Sequence, residues 1–394
     1  MNSPSHDITP SELDALMRLD LMTFIHRCFV ELNPTLTMSE SPHLRILAAK
    51  LADTLLGRGP KRLIINLPPR SLKSISVSVA AVAWLLGSDP TKQIMCASYG
   101  QDLADKHARD ARTIMNSAFY QRIFPGTRLS SQRTAVNDFA TTKNGFCMAT
   151  SVGGVLTGRG GNVLILDDPL KPDEALSETK RAAVIEWYKN SALSRLNSKE
   201  DGIVIIVMQR LHQDDLVGHV LENDENWEVL SFPAIAEERQ EYTVKTVLGS
   251  YTFKREIGDV LDPSRESLAT LRQVQIDIGT YNFASQYQQN PTPMGGSMIK
   301  REWLQQRYDP EAPLPHFSSK FQGWDTANKS GELNDFSVCT TWGIYDGKYY
   351  LLHVYRQKLI YPDLKRMVIE LKSSMRPTRC SSRTRLQERS SSRT

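Results

Sequence analysis

The sequence predicts an α/β protein: a parallel sheet flanked by helices, followed by a smaller β-rich α/β domain. Three observations carry this. Short, wholly apolar runs at 63–65, 94–97, 163–166 and 203–207 read as strands buried on both faces. Helical stretches at 73–86, 101–116 and 177–194 separate them, which implies parallel connections. Beyond a Pro- and Gly-rich segment at 291–296 the pattern changes to alternating runs.

Taken in order, residues 1–56 read as a helical region of two helices. Thr9-Pro10-Ser11 caps the first, and Asn33-Pro34 breaks the pattern before 43–56 resumes it. Residues 57–250 carry the parallel α/β pattern. Residues 251–296 read as a connection, with a turn-rich stretch to 267, a polar helix over 268–287 and the linker at 291–296. Residues 297–374 hold strands at 321–326, 336–342 and 349–354, with the hairpin signal Asp346-Gly347 and a helix at 362–371. Residues 375–394 form a basic Ser/Arg tail.

A chain of 394 residues with 40% hydrophobic and 8% aromatic residues can fill real cores. It has no apolar run long enough for a membrane helix, and Met1–Asp14 has no signal-peptide character. Five scattered cysteines without metal spacing suit a reducing, cytoplasmic setting. The net charge of +4 is misleading. Residues 371–394 hold seven Lys or Arg against the single acid Glu388, so the first 370 residues sum to −2. DNA binding must therefore rest on local patches rather than on bulk charge.

The chemistry concentrates where strands meet loops. Leu67-Pro68-Pro69-Arg70-Ser71-Leu72-Lys73-Ser74 follows a strand and opens a helix, the context of a phosphate-binding loop. Backbone N–H groups from Pro69 to Ser74 would face the phosphates, apart from proline's missing one. Lys73 would reach the β- and γ-phosphates, and the Ser74 hydroxyl would ligate Mg²⁺. Leu67 and Leu72 stand where the usual pattern has glycine, so this loop alone fits an ordinary strand–turn–helix equally well. The apolar strand ending in Asp167-Asp168 tips the reading toward ATP hydrolysis. Asp167 would hold the metal and Asp168 would orient the attacking water, because α/β sheets place ligands at the carboxyl ends of their strands. Arg159, flanked by Gly158 and Gly160, is a candidate for meeting a γ-phosphate. Gln209-Arg210, after the last apolar strand, is a candidate sensor or coupling pair. Each arginine alone is more often a plain surface residue.

Six ordered segments together resemble the large subunit of phage terminases: LPPRSLKS at 67–74, SYGQDLADK at 98–106, LTGRGGNVLILDDP at 156–169, MQRLHQDDLVG at 208–218, YNFASQYQQNPTPMGG at 281–296 and GWDTANKSGELNDFSV at 323–338. The resemblance implies an ASCE-type P-loop NTPase joined to an RNase H-like nuclease, that is, an ATP-driven motor that packages double-stranded DNA. It also implies Mg²⁺ with ATP, Mg²⁺ or Mn²⁺ at the nuclease, a small terminase subunit, a portal protein, a homo-oligomeric ring on the portal, and a bacterial host's cytoplasm. Arg70, Arg159 and Arg210 are the candidates for an arginine acting in cis or in trans. Another P-loop DNA translocase or helicase-like ATPase, or a prophage remnant without activity, are the competing readings.

In such a nuclease several carboxylates hold two metals about 4 Å apart. Asp325 matches the first ligand, and Asp335 matches an acid near it, although a turn residue explains Asp335 as readily. The later acids are missing, so the domain reads as incomplete, stopping after about three strands and one helix with an open sheet edge. The tail after Met375 shows no apolar strand and no acid pair. Back-translated from Cys380 and read from the third base, it becomes L-I-E-D-K-A-S-G-T-Q-L-I-Q-D, an apolar strand with two acids that resembles the family's second nuclease motif. A one-base slip near 375–379 accounts for this. Sequencing the gene is expected to show the L-I-E-D reading in the shifted frame downstream of codon 379; a shifted frame interrupted by stops there eliminates the slip.

Overall fold

The computed structural model describes residues 8–39, 41–154, 156, 158–292, 308, 313–326, 337–357 and 361–382. The chain divides into two compact units, Met1–Met298 and Ile299–Thr394.

The first unit is built on an eight-stranded sheet. Its strands are β1 (Arg62–Asn66), β2 (Gln93–Ser98), β3 (Leu129–Ala135), β4 (Asp138–Thr141), β5 (Phe146–Ser151), β6 (Val163–Asp167), β7 (Ile203–Met208) and β8 (Glu228–Ser231), in the order β3-β4-β5-β2-β6-β7-β1-β8. From β5 to β8 every neighbouring pair is parallel, while β4 runs antiparallel to both its neighbours. All four apolar runs seen in the sequence are central strands of this sheet. Alternation sorts their side chains between two cores. Leu63, Ile65, Ile94, Ile165, Ile205 and Val207 pack on one face, and Ile64, Met95, Leu164, Leu166, Val204 and Ile206 on the other. Because both faces are covered, no polar residue interrupts the runs.

The N-terminal region forms three helices rather than two: α1 (Pro10–Leu19), α2 (Leu21–Leu32) and α3 (Pro42–Leu55). Asp20 makes the extra break. Its extended backbone ends α1, and its carboxylate caps α2 by accepting from Thr23 N–H at 2.8 Å. These helices share one core with the sheet through Phe24, Cys28, Leu47 and Leu51. The helix after the phosphate loop begins at Lys73, runs π-helical over Ile75–Ala80 and continues as α4 (Ala81–Ser88). Then come α5 (Gln101–Asn116), α6 (Ala118–Ile123), α7 (Glu178–Trp187) and α8 (Leu216–Asn223).

The stretch read as a turn-rich connection contains the second strand of a hairpin, β9 (Gln240–Thr246) with β10 (Gly249–Arg255). Alternating Tyr242, Val244, Tyr251 and Phe253 put one face of that hairpin against the core. Helix α9 (Leu268–Asn282) follows, kinked at Gly279, with a π-helical turn at Phe283–Tyr287.

The second unit holds β11 (Ser319–Asp325), β12 (Ser337–Tyr345), β13 (Lys348–Gln357), α10 (Tyr361–Met375) and β14 (Arg379–Ser382) in the order β13-β12-β11-β14. The first three strands are antiparallel, and β14 is parallel to β11. Asp346 and Gly347 both take positive φ, as the predicted tight hairpin requires. Strand β14 corrects the expectation that nothing ordered follows the helix and that the β11 edge stays open. Its exposed Arg379, Cys380 and Ser381 contribute no apolar face. Main-chain pairing does not need one, and the β11 edge offers unsatisfied N–H and C=O groups.

Candidate active site

The site lies at the carboxyl ends of β1, β6 and β7. Strand β7 sits between the other two, pairing Ile65 with Val207 and Leu166 with Ile206. The phosphate loop therefore leaves one strand while the acids leave the next but one, with Met208-Gln209 between them. Leu67 N–H donates to Met208 C=O at 3.3 Å and Asp168 N–H to Val207 C=O at 2.9 Å, which ties both loops to the intervening strand.

The loop shows why glycine is usual here. Arg70 and Leu72 both adopt left-handed backbone, at φ +58° and +56°. Each non-glycine residue in that region costs about 1–2 kcal/mol. Leu72 is the residue in the second glycine's place, so the conformation is kept and the glycine is not. Lys73 is buried, and its Nζ lies 3.0 Å from Asp168 Oδ2. Ser74 Oγ donates to Asp167 Oδ1 at 3.1 Å. Ser74, Lys73, Asp167 and Asp168 are thus brought into one cluster. Pro69, Arg70 and Ser71 line the approach to it, with Ser71 buried and Arg70 exposed.

Two residues that the sequence did not single out complete the cluster. Ser78 Oγ donates to Asp167 Oδ2 at 2.6 Å, and His107 Nδ1 lies 3.6 Å from the same oxygen. Ser78 follows Ser74 by one helical turn, a spacing that could have marked it. His107 lies on α5 and meets Asp167 only through the fold. Burial depresses its pKa to about 4, so the ring is neutral near pH 7.

Burial is also the largest influence on both acids and raises their pKa. The hydroxyls of Ser78 and Ser74 and the Lys73 charge oppose it at Asp167. At Asp168, Lys73 opposes it while the neighbouring carboxylate of Asp167 adds to it. Asp168 itself has φ +44° and accepts from Gln209 N–H at 3.2 Å. A hydroxyl beside a buried carboxylate is the donor set that holds Mg²⁺, so Ser74 and Asp167 fit that ion.

Gln209 and Arg210 separate in role. Gln209 reaches the acids through its backbone. Arg210 does not face the phosphates: its Nε lies 2.9 Å from Asp215, which is fully buried, and its N–H donates to Gln289 Oε1 at 2.9 Å. Asp215 also accepts from Leu211 and Gly218 N–H, both at 3.0 Å, and caps α8. The segment 208–218 is thus a buttress for the end of β7. Arg159 corrects a further expectation. It pairs with Asp138 at 2.6 Å and lines a cleft of about 520 Å³ with Gln93, Arg133, Asn144 and Phe146. Gln93 and Phe146 are the first residues of β2 and β5, so this cleft is at the amino ends of those strands, the opposite end of the sheet from the loop, and Arg159 does not meet a phosphate held by its own chain's Lys73.

In the second unit Asp325 is exposed at the end of β11, paired in register with Val338. Asp335 lies outside the described residues. Among the described residues no group of three or more His, Cys, Asp or Glu side chains gathers as a metal site. The donor set described there does not fit two metals.

Strand order, loop and acids define an α/β nucleotide fold of the ASCE P-loop type, followed by a sheet with the order and directions of an RNase H-like domain. No protein-family model matches the chain, and no curated protein matches it. Solved structures similar to it over most of its length include phage large terminases. The HK97 bacteriophage large terminase aligns with a TM-score of 0.45 at 13% identity, covering 92% of this chain and 73% of that one. A large terminase from a thermophilic bacteriophage, in complex with ADP, aligns at 0.39 and 13%, covering 85% and 74%. A mutant ATPase domain of the Thermus phage P74-26 large terminase aligns at 0.42 and 14%, covering 66% and 96%. No helix among the described residues is long and apolar enough to cross a membrane.

The raised pKa of Asp167 has a measurable consequence. The folded state holds its proton more tightly than the unfolded chain, so this stabilisation is present at low pH and is lost as pH rises through the folded pKa. The non-titrating Asp167→Asn is therefore expected to gain stability relative to wild type as pH rises above the usual carboxylate range, about pH 4. Denaturant melts over a pH series above that range test it, and a difference that shrinks with rising pH contradicts the assignment.

Proposed function

We propose that the chain is an ATP-hydrolysing DNA-packaging motor of the terminase large-subunit kind, whose second unit does not cut DNA. The observation that carries the first half is the convergence of Lys73, Ser74, Asp167 and Asp168 at one end of the sheet. The six ordered segments of sequence support the packaging role.

In this reading ATP seats its phosphates against the backbone N–H groups ahead of the Lys73 helix. Lys73 leaves Asp168 for the β/γ-phosphates, where its charge is better balanced. Asp168, released and still fixed by Gln209 N–H, accepts a proton from the attacking water and aims it in line with the γ-phosphate. Ser78 holds Asp167, and Ser74 with Asp167 would hold Mg²⁺, which supplies charge neutralisation at the phosphates. The partners in this reading are double-stranded DNA, a small terminase subunit, a portal and further copies of the chain, in a bacterial cytoplasm.

In this reading the lack of cutting is supported by β14. Its register runs from Phe321–Arg379 to Trp324–Ser382. The acids of the L-I-E-D reading follow directly after these positions, so a chain with the frame intact would carry an acid at the level of Asp325. This chain supplies Ser and Arg there instead. Two metals next to one carboxylate lack both charge balance and fixed geometry.

Two experiments test the reading. The full chain is expected to hydrolyse ATP, faster with double-stranded DNA, and Lys73→Ala should reduce turnover at least 100-fold; turnover that survives that substitution refutes the site. Plasmid incubated with the chain and Mg²⁺ or Mn²⁺ should stay intact. Cleavage that disappears in Asp325→Ala would show that the nuclease is competent after all.

A further inference from the structure

The phosphate loop carries two left-handed non-glycine residues, so something outside it must keep it in place. The contact comes from a segment almost 200 residues away. Arg265 Nη1 donates to Pro69 C=O at 3.3 Å and to Arg70 C=O, while its Nη2 is held by Glu266 at 2.6 Å. These carbonyls belong to the peptides that carry the Arg70 and Ser71 N–H groups, the first of those that would face the phosphates. A guanidinium presents planar, paired donors, which suits adjacent carbonyls better than an ammonium does.

Arg265 is itself fixed. Its N–H and that of Glu266 donate to Asp262 C=O at 3.1 and 3.0 Å, closing a turn. Ser39 Oγ lies 2.8 Å from Ser264 Oγ and 3.2 Å from both Asp262 oxygens, which anchors the turn beside the N-terminal helices. Arg265 remains partly open, at 28% side-chain exposure, so it is a clamp over the loop rather than a core residue.

We propose that Arg265 is a positioning residue for nucleotide binding: it clamps the outer carbonyls of the phosphate loop so that the strained, glycine-free loop presents its N–H groups ready for phosphate. The proposal rests on the nucleotide reading of the Lys73 loop. A clamped loop meets the phosphates without first being ordered, and an unclamped one must be ordered by the ligand. The segment that follows the clamp leads into α9, so the loop and that helix are joined by one side chain.

The test uses the full chain with ADP and Mg²⁺ as the probe, and compares wild type, Arg265→Ala, Arg265→Lys and Lys73→Ala. Arg265→Ala is expected to weaken ADP binding about tenfold, equal to about 1.4 kcal/mol. Its melting temperature without nucleotide should stay within about 2 °C of wild type, because one partly exposed contact is lost. The stabilisation by ADP should shrink, and Arg265→Lys should recover part of the affinity. Unchanged affinity in Arg265→Ala, with wild type binding and Lys73→Ala not, overturns the clamp alone. A loss of affinity that only accompanies a fall of several degrees without nucleotide makes Arg265 a general structural residue and also overturns it. A wild-type chain that binds no ADP defeats the nucleotide reading and the clamp with it.

Discussion

Two adjacent carboxylates at the end of a fully buried strand dominate this molecule. Asp167 and Asp168 carry like charges at the edge of the largest apolar core, and little nearby water is left to solvate them. Lys73, two serine hydroxyls and the Gln209 N–H supply what solvent cannot. The remaining cost shows as raised pKa values at both acids. In the proposed function, phosphates and a divalent ion would take over these interactions.

The same constraint explains features that have no chemistry of their own. Strand β7 must separate the loop from the acids, and its end must not move. The Arg210–Asp215 pair, the Asp215 cap on α8 and the Gln289 contact hold it. At Gly218 an added Cβ would come within 1.7 Å of Gln213 C=O, so the chain can close on Asp215 only with glycine there. A motif that reads like a sensor in sequence is therefore mostly a brace. The arginine free enough to look catalytic, Arg159, is bound to Asp138 at the opposite end of the sheet.

The second unit shows the opposite relation between sequence and fold. Its first three strands and helix have a compact core at Trp324, Cys339 and Leu371. Its fourth strand is placed by main-chain pairing and by the Thr378 hydroxyl on the Lys320 backbone, with exposed Arg379, Cys380 and Ser381. Backbone hydrogen bonds can extend a sheet with almost any side chains, but metal chemistry cannot be performed with any side chains.

The central strands, the phosphate-loop helix and the antiparallel start of the second sheet were legible in the sequence, because double-sided burial and tight hairpins leave local patterns. Strands β3 to β5 and the β9–β10 hairpin were not: β3 and the hairpin are largely exposed and of mixed composition, β4 has four residues, and the buried β5 mixes Thr and Ser with its apolar residues. The cluster was recognisable from Lys73, Ser74, Asp167 and Asp168, residues that follow a strand end or the loop it leads into. Ser78, His107 and Arg265 were not, because their partners lie about 60 to 200 residues away. Sequence by itself determined which groups can do phosphate chemistry, since charge and loop context are local properties. Only the tertiary structure decided which arginine braces, which clamps and which lies at the wrong end of the sheet, because that depends on where distant segments meet.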